Sequence, residues 1–307
     1  MDPVTHTLVG ASLAQTGLKR RTGLGTAALL IGANFPDIDV LSYAWGSETA
    51  LWFRRGLTHG VVALALLPLL LTGLLLIWDR TVRRRRTTPG PAVRPLQILM
   101  LSTLAIATHP LLDFLNVYGM RWFMPFSSRW FYGDTLFIID PWVWVALVAG
   151  VWLAGKRPRT SLLALGLVSL YVAGMATSSV LARRMVVSSL GLRQDHSVRV
   201  MVAPLAVTPF TRYIVVDDGR SYQVGMFNWS RRPRFELEAL PYDRLPPTPA
   251  SARALVAPPA VKFLSWARFP YFVVEPVGGL LLIGDARYGL DPEGSWASTS
   301  VPLPLLR

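Results

Sequence analysis

Residues 61–78 read VVALALLPLLLTGLLLIW, eighteen apolar or small residues without a charge. At ~1.5 Å of rise per residue they make roughly 27 Å of helix, close to the thickness of a bilayer core. The stretch therefore places the chain among helical membrane proteins. Composition agrees: of 307 residues, 52% are hydrophobic and 16% charged, and the mean hydropathy is +0.39. An ordinary soluble domain or a disordered chain does not have these values.

Three further apolar stretches, at about 95–115, 136–154 and 161–182, are long enough to cross as well. The expected membrane bundle thus has about four full spans. Ahead of them, 7–18 and 22–35 are shorter apolar runs separated by Lys19, Arg20 and Arg21. They read as a short helical hairpin, in which Gly10, Ala11, Ser12, Ala14 and Gly17 face Gly23, Gly25, Ala27, Ala28 and Gly32, small residues that let two backbones approach in lipid. Beyond about residue 190 the pattern changes to alternating β-branched and polar runs at 198–202, 213–216 and 271–274, with Asp218-Gly219 as a hairpin turn. The expected organisation is a helical membrane domain over 1–189 and a mostly antiparallel β domain over 190–307. A Pro-rich stretch at 241–259 is expected as an irregular loop.

The net charge is +13, and most of it, +10, lies in residues 1–189. Basic residues beside apolar spans set topology and meet anionic lipid, so no nucleic-acid partner is expected. Lys19, Arg20 and Arg21, then Arg80, Arg83, Arg84, Arg85, Arg86 and Arg94, then Lys156, Arg157 and Arg159 alternate to one side of the proposed spans. By the positive-inside rule that side is cytoplasmic, which puts the C-terminal domain outside the cytoplasm. Met1-Asp2-Pro3 lacks the positive start of a cleavable signal, so a retained N-terminus is expected. There is no cysteine, which excludes disulfides, thiolate nucleophiles and Cys-ligated zinc. A metal in this chain must be held by histidine and carboxylate.

Three of the four histidines, His6, His59 and His109, each follow a threonine at the edge of an apolar stretch. Asp37, Asp39, Asp113, Asp134 and Asp140 occupy the same kind of position. With topology fixed from Lys and Arg alone, all of these groups fall at the outer end of the bundle, while Asp79 marks the opposite boundary. Imidazole nitrogen and carboxylate oxygen suit zinc, manganese or iron, so a shared site for one or two divalent ions is expected. His109 and Asp113 are i,i+4 and share a helical face if Pro110 only kinks the helix. Asp37 and Asp39 are i,i+2 after Pro36 and are expected to point the same way from extended backbone. The plain alternatives are helix caps for Asp2, Thr5, Thr58 and Thr108 and interfacial anchors for Arg54 and Arg55. Trp122, Trp130, Trp142, Trp144 and Trp152 read as belt and packing aromatics, and His196 as ordinary surface. Arg55, four residues before His59, also suits an anionic substrate group such as phosphate.

At 1–14 (MDPVTHTLVGASLA), 32–39 (GANFPDID), 54–60 (RRGLTHG), 108–119 (THPLLDFLNVYG) and 124–144 (MPFSSRWFYGDTLFIIDPWVW) the chain resembles the LexA-binding, inner-membrane-associated metal-dependent hydrolases. The motifs run in that family's order through the first half of the chain. The resemblance implies a multi-pass protein of the bacterial inner membrane with metal-dependent hydrolase activity, and supports His6, Asp37, Asp39, His59, His109 and Asp113 as metal-site residues. Where many members read His-Arg-Gly and Thr-His-Ser, this chain has Arg54-Arg55-Gly56 and Thr58-His59-Gly60. The departure at 54 bears on whether a second ion is held.

The chemistry expected is hydrolysis by metal-activated water, with Asp134 or Asp140 as base and a phosphoester or lipid-linked phosphate as substrate. Membrane lipid is the expected partner, and the oligomeric state is not legible. No HExxH segment supports a peptidase. The alternative is non-enzymatic: a structural metal or ion site with the β domain as a binding module. A proton relay needs acids spread across the bilayer, whereas here they crowd one end. Regulation of a cytoplasmic repressor would have only the basic inner loops to use.

Overall fold

The computed structural model describes residues 1–85, 90–155, 157, 159–192, 198–275 and 279–304. Arg86, Lys156 and His196, which entered the readings above, lie outside the described residues. The chain forms two compact units, one of 1–40 with 54–177 and the other of 41–53 with 178–307. The second unit is therefore not confined to the tail expected at 190–307. It also takes in a short segment from the N-terminal half and the last turns of a long helix.

The first unit is helical. Helix α1 (Pro3–Gln15) starts where Asp2 accepts hydrogen bonds from the Val4 and Thr5 amides with Pro3 in the first turn, a combination that fixes a helix start. Helix α2 (Gly25–Asn34) returns against it. The expected pairing of small residues forms only in part: a Cβ on Gly10 would lie 2.6 Å from the Leu29 carbonyl oxygen of α2, whereas Gly32 packs away from α1, where a Cβ would lie 2.9 Å from the Ala105 Cβ. After α2 the chain forms a 3-10 helix, Phe35–Trp45, so Asp37 and Asp39 sit on a tight helical turn and not on the extended backbone expected. Pro36 takes a first-turn position there, where its missing N–H costs nothing.

Helix α3 (Ser47–Phe53) belongs to the second unit. Helix α4 (Val61–Thr81), helix α5 (Pro95–Phe114), helix α6 (Pro141–Ala154) and the start of helix α7 (Arg159–Ser189) complete the first. Leu29 and Ala33 of α2, Leu71 and Leu75 of α4, and Ile98, Leu101 and Ile106 of α5 form one core. Val9 of α1, Val143 and Leu147 of α6, and Val168 and Met175 of α7 form another.

Among the described residues, three helices are long and apolar enough to cross a membrane: 61–85, 95–114 and 159–189. Their outward faces are apolar too, with Leu66, Leu69 and Leu70 of α4 and Leu163, Leu167 and Leu170 of α7 exposed, as hydrocarbon surroundings require. The stretch expected as a span over 136–154 yields only the 14 residues of α6, ~21 Å. Its helix cannot begin before Pro141, because Asp140 caps it in extended conformation. At the other end of α4, buried Asp79 is paired with Arg83 and Arg84.

The second unit carries two antiparallel sheets. Strands β1 (Arg199–Pro204), β2 (Thr211–Asp217), β3 (Tyr222–Asn228) and β4 (Phe235–Ala239) form a four-stranded meander. Strands β5 (Pro270–Val274), β6 (Leu280–Asp285) and β7 (Ser298–Pro302) form the second sheet. The Asp218-Gly219 turn joins β2 to β3 as expected: Gly219 has φ 86° and the Asp218 carboxylate accepts from the Arg220 and Ser221 amides. The Pro-rich stretch is more ordered than its composition suggested. It holds helix α8 (Pro249–Ala254), started by a Thr248/Ser251 capping box, and the beginning of helix α9 (Pro258–Leu264). Against α9 packs α3, with Lys262 Nζ donating to Thr49 Oγ1 at 2.8 Å.

Candidate metal centre

Four sequence-distant side chains of the first unit meet at one point. Asp37 comes from the 3-10 turn after α2 and His59 from the turn ahead of α4, while His109 and Asp113 lie one turn apart on α5, which runs unbroken through Pro110. His59 Nε2 is 3.2 Å from Asp113 Oδ2 and 3.9 Å from Asp37 Oδ1. His109 Nε2 is 3.6 Å from Asp113 Oδ2 and 3.7 Å from Asp37 Oδ1. Both imidazoles are fully buried, as is Asp113.

His59 Nε2, His109 Nε2 and Asp113 Oδ2 are buried and have no hydrogen-bond partner of acceptable geometry. Leaving the two imidazole nitrogens in that state costs on the order of 1–3 kcal/mol each, and a cation between them and Asp113 Oδ2, which Arg55 Nε faces at 3.0 Å, removes the cost. The spacing fits one: tetrahedral ligands at 2.0–2.1 Å stand about 3.3 Å apart. Two nitrogens and two carboxylate oxygens also match the donors that borderline divalent ions take.

The remaining imidazole nitrogens are held as metal ligands need them to be. His109 Nδ1 lies 2.6 Å from the Ala33 carbonyl oxygen and must carry the hydrogen, which leaves Nε2 as a lone pair. Thr58 Oγ1 donates to Asp39 Oδ2 at 3.0 Å, so its contact with His59 Nδ1 at 2.9 Å accepts the imidazole hydrogen. His59 Nε2 is thereby also a lone pair. Asp39 thus orients His59, and its other contacts are the Arg55 amide at 2.9 Å and Arg54 Nε at 3.4 Å.

The other expected residues divide. His6 joins the cluster at one remove: its ring stacks on His109 at 3.6 Å between centroids, and its Nε2 is 3.3 Å from Asp113 Oδ1. The Met1 amino group contacts the same oxygen. Arg55 is not available to a substrate. It is buried, with Nε 3.0 Å from Asp113 Oδ2, Nη1 donating to Asn116 Oδ1 at 2.8 Å and its guanidinium over the Tyr118 ring. Its partner in sequence, Arg54, reaches the rim instead, with Nη2 3.1 Å from Asp37 Oδ1.

Asp140, expected as a base, is committed elsewhere as the cap of α6 and acceptor for Tyr171 Oη. Asp134 has φ 47° and is not among the grouped ligands. Sequence reasoning missed Asn116 and the ligand-orienting role of Thr58. Asn116 follows Asp113 by three residues, a helical spacing that signals a shared face. The Ala33 carbonyl has no side-chain signal at all.

The model of the YdjM inner membrane protein family matches residues 1–182. The chain belongs to that family. The match takes in all four clustered ligands and the residues that orient them, so the centre of this YdjM-family chain lies wholly within the family's own region. The protein YfhP of Bacillus subtilis (strain 168), described as uncharacterized, is similar: 25% identical over 175 residues, 54% of this chain and 50% of YfhP. The YdjM-family chain thus spans about half the length of that curated relative. No solved structure matches it.

Proposed function

We propose that this chain is a metal-dependent hydrolase of the bacterial inner membrane, with one divalent ion, zinc before manganese or iron, held by Asp37, His59, His109 and Asp113. The observation that carries the reading is the convergence of His59 Nε2, His109 Nε2 and Asp113 Oδ2 on Asp37 Oδ1, the two imidazole nitrogens buried without a hydrogen-bond partner.

A divalent ion so held would supply Lewis acidity and bring the pKa of a coordinated water toward neutrality. The chain's own groups do the rest. Asp37 is the one ligand that meets solvent, with its side chain 14% exposed against 1% for Asp113 and 0% for both imidazoles. It is therefore the group to take the proton from an attacking water, the role first expected of Asp134 or Asp140. Asp39, through Thr58, keeps the His59 ring aimed, and Arg55 fixes Asp113. A phosphoester, including a lipid-borne one, is the substrate class, and the positive-inside bias of the basic loops supports an extracytoplasmic end of the bundle for the centre.

Four protein ligands with three of them buried also favour a second reading, a closed structural site, since catalytic zinc keeps one position open. Full-length protein purified in detergent is expected to carry about one ion per chain by elemental mass spectrometry. That ion should disappear in His59→Ala and His109→Ala. Hydrolysis of a phosphoester or phospholipid by wild type, lost with the ion, supports the enzyme. Stoichiometric metal that resists chelation, with no turnover across the screen, supports the structural site. Absence of metal after reconstitution overturns both. A cytoplasmic signal from a reporter fused after Arg184 would reverse the proposed orientation.

A further inference from the structure

We infer that Arg54 is the phosphoryl-binding residue of this centre, the group that receives substrate oxygens beside the ion. The inference rests on the hydrolase reading above and adds to it a ligand class and a residue.

Position is the first argument. Arg54 and Asp37 are the exposed members of the cluster, their side chains 22% and 14% accessible, while Asp39, His59 and His109 are at 0%. The Arg54 guanidinium therefore borders the exposed edge of the Asp37 carboxylate. Its Nη2 lies 3.1 Å from Asp37 Oδ1, itself one of the four ligand atoms, and its Nε 3.4 Å from Asp39 Oδ1.

Charge is the second. Among side chains, Asp37, Asp39 and Asp113 stand against Arg54 and Arg55, with the imidazoles neutral as ligands. A divalent ion then leaves the centre with one net positive charge, and removing Arg54 brings it to zero. An ion on Asp37 Oδ1 also draws on the oxygen that holds Arg54 Nη2, which places two cations beside one acceptor. An anion laid across both relieves that repulsion. Arg55 cannot take this part, because its guanidinium is buried against Asp113, Asn116 and Tyr118.

Shape selects the anion. A guanidinium presents a planar fork that pairs with two oxygens at once. Arg54 already shares Nε with Asp39 and Nη2 with Asp37, so an incoming anion must share the guanidinium with those carboxylates while it also meets the ion. A phosphoryl group has three non-bridging oxygens to divide in this way, and a carboxylate only two. The phosphoryl group can come from a soluble ester or from a lipid headgroup.

The test uses the full chain in phosphatidylcholine nanodiscs, loaded with zinc, titrated with inorganic phosphate by calorimetry. Wild type is expected to bind phosphate. Arg54→Gln should weaken that binding about 10- to 100-fold, the effect of losing a charged hydrogen-bond pair, with zinc content by mass spectrometry unchanged. Arg54→Lys, which keeps the charge without the fork, should fall between the two and show that a merely unfolded variant is not being read. Adding phosphatidic acid to the nanodiscs separates the sources: a raised apparent Kd for phosphate in wild type alone identifies the headgroup as the ligand, and an unchanged one identifies soluble phosphate. Phosphate binding in zinc-loaded Arg54→Gln equal to wild type overturns the inference and leaves the metal centre standing. Wild type that holds no zinc overturns the hydrolase reading, and this inference with it.

Discussion

Asp113→Asn is expected to unfold the first unit at a temperature lower by roughly 6–15 °C, corresponding to about 3–5 kcal/mol for one partner stripped from a buried ion pair. The change keeps the size of the side chain and removes its charge. Asp113 is the hub of the cluster: within 3.6 Å of its oxygens lie Arg55 Nε, His6 Nε2, His59 Nε2 and His109 Nε2. Arg55, only 3% exposed, would keep Asn116 and the Tyr118 ring as neighbours but lose its counter-charge. A thermal melt in detergent measures the loss. Arg55→Met in the same chain should restore part of it, since it withdraws the stranded cation. A single variant that melts with wild type would mean that the Arg55–Asp113 pair contributes nothing to the fold.

The second large effect is expected far from any ligand atom. Gly10→Val puts a Cβ 2.6 Å from the Leu29 carbonyl oxygen and 3.0 Å from the Ala33 Cβ, so α1 and α2 must separate. Overpacking of this kind costs about 1–3 kcal/mol. Here it carries a second consequence, because α1 holds His6 and α2 ends at the Ala33 carbonyl that fixes the His109 tautomer. Metal affinity is therefore expected to fall about 10- to 100-fold, the usual penalty for losing the outer partner of a ligand. Titration with a competing chelator measures it. Gly10→Ala should show the same direction and a smaller size. Unchanged affinity in both variants would separate the helix contact from the centre.

Much of this arrangement was legible in the sequence, for physical reasons. Apolar runs long enough for a bilayer become helices because no other conformation satisfies the backbone in lipid, and α4, α5 and α7 follow the runs at 61–78, 95–115 and 161–182. Histidines and aspartates stranded at the ends of such runs are costly unless they share a purpose, and His59, His109, Asp37 and Asp113 do meet. The division of labour was not legible. Asp37 and Asp39 look equivalent in sequence, yet the tight turn they share puts one among the four candidate ligands and makes the other the support of His59. Arg55 turns inward to Asp113 while Arg54 reaches the rim, and Arg55 has φ 53°, a left-handed turn that a run of letters does not announce. Asp140 read as a base among other acids, but Pro141 beside it makes it a helix cap.

The excursion at 41–53 gives the molecule a property that its linear order hides. The chain departs from the first unit after Val40, the residue that follows Asp39, builds α3 against α9, and comes back at Arg54. Ala50 and Leu51 of that short helix are 0% and 4% exposed, so it needs the later residues as its partner. A truncation at residue 182, where the family match ends, would keep every ligand while leaving a sticky, unpaired helix spliced between the two halves of the ligand set. The loop that connects parts of the centre is, in that sense, an integral piece of the second unit, and shortening the gene is not a neutral way to isolate the chemistry.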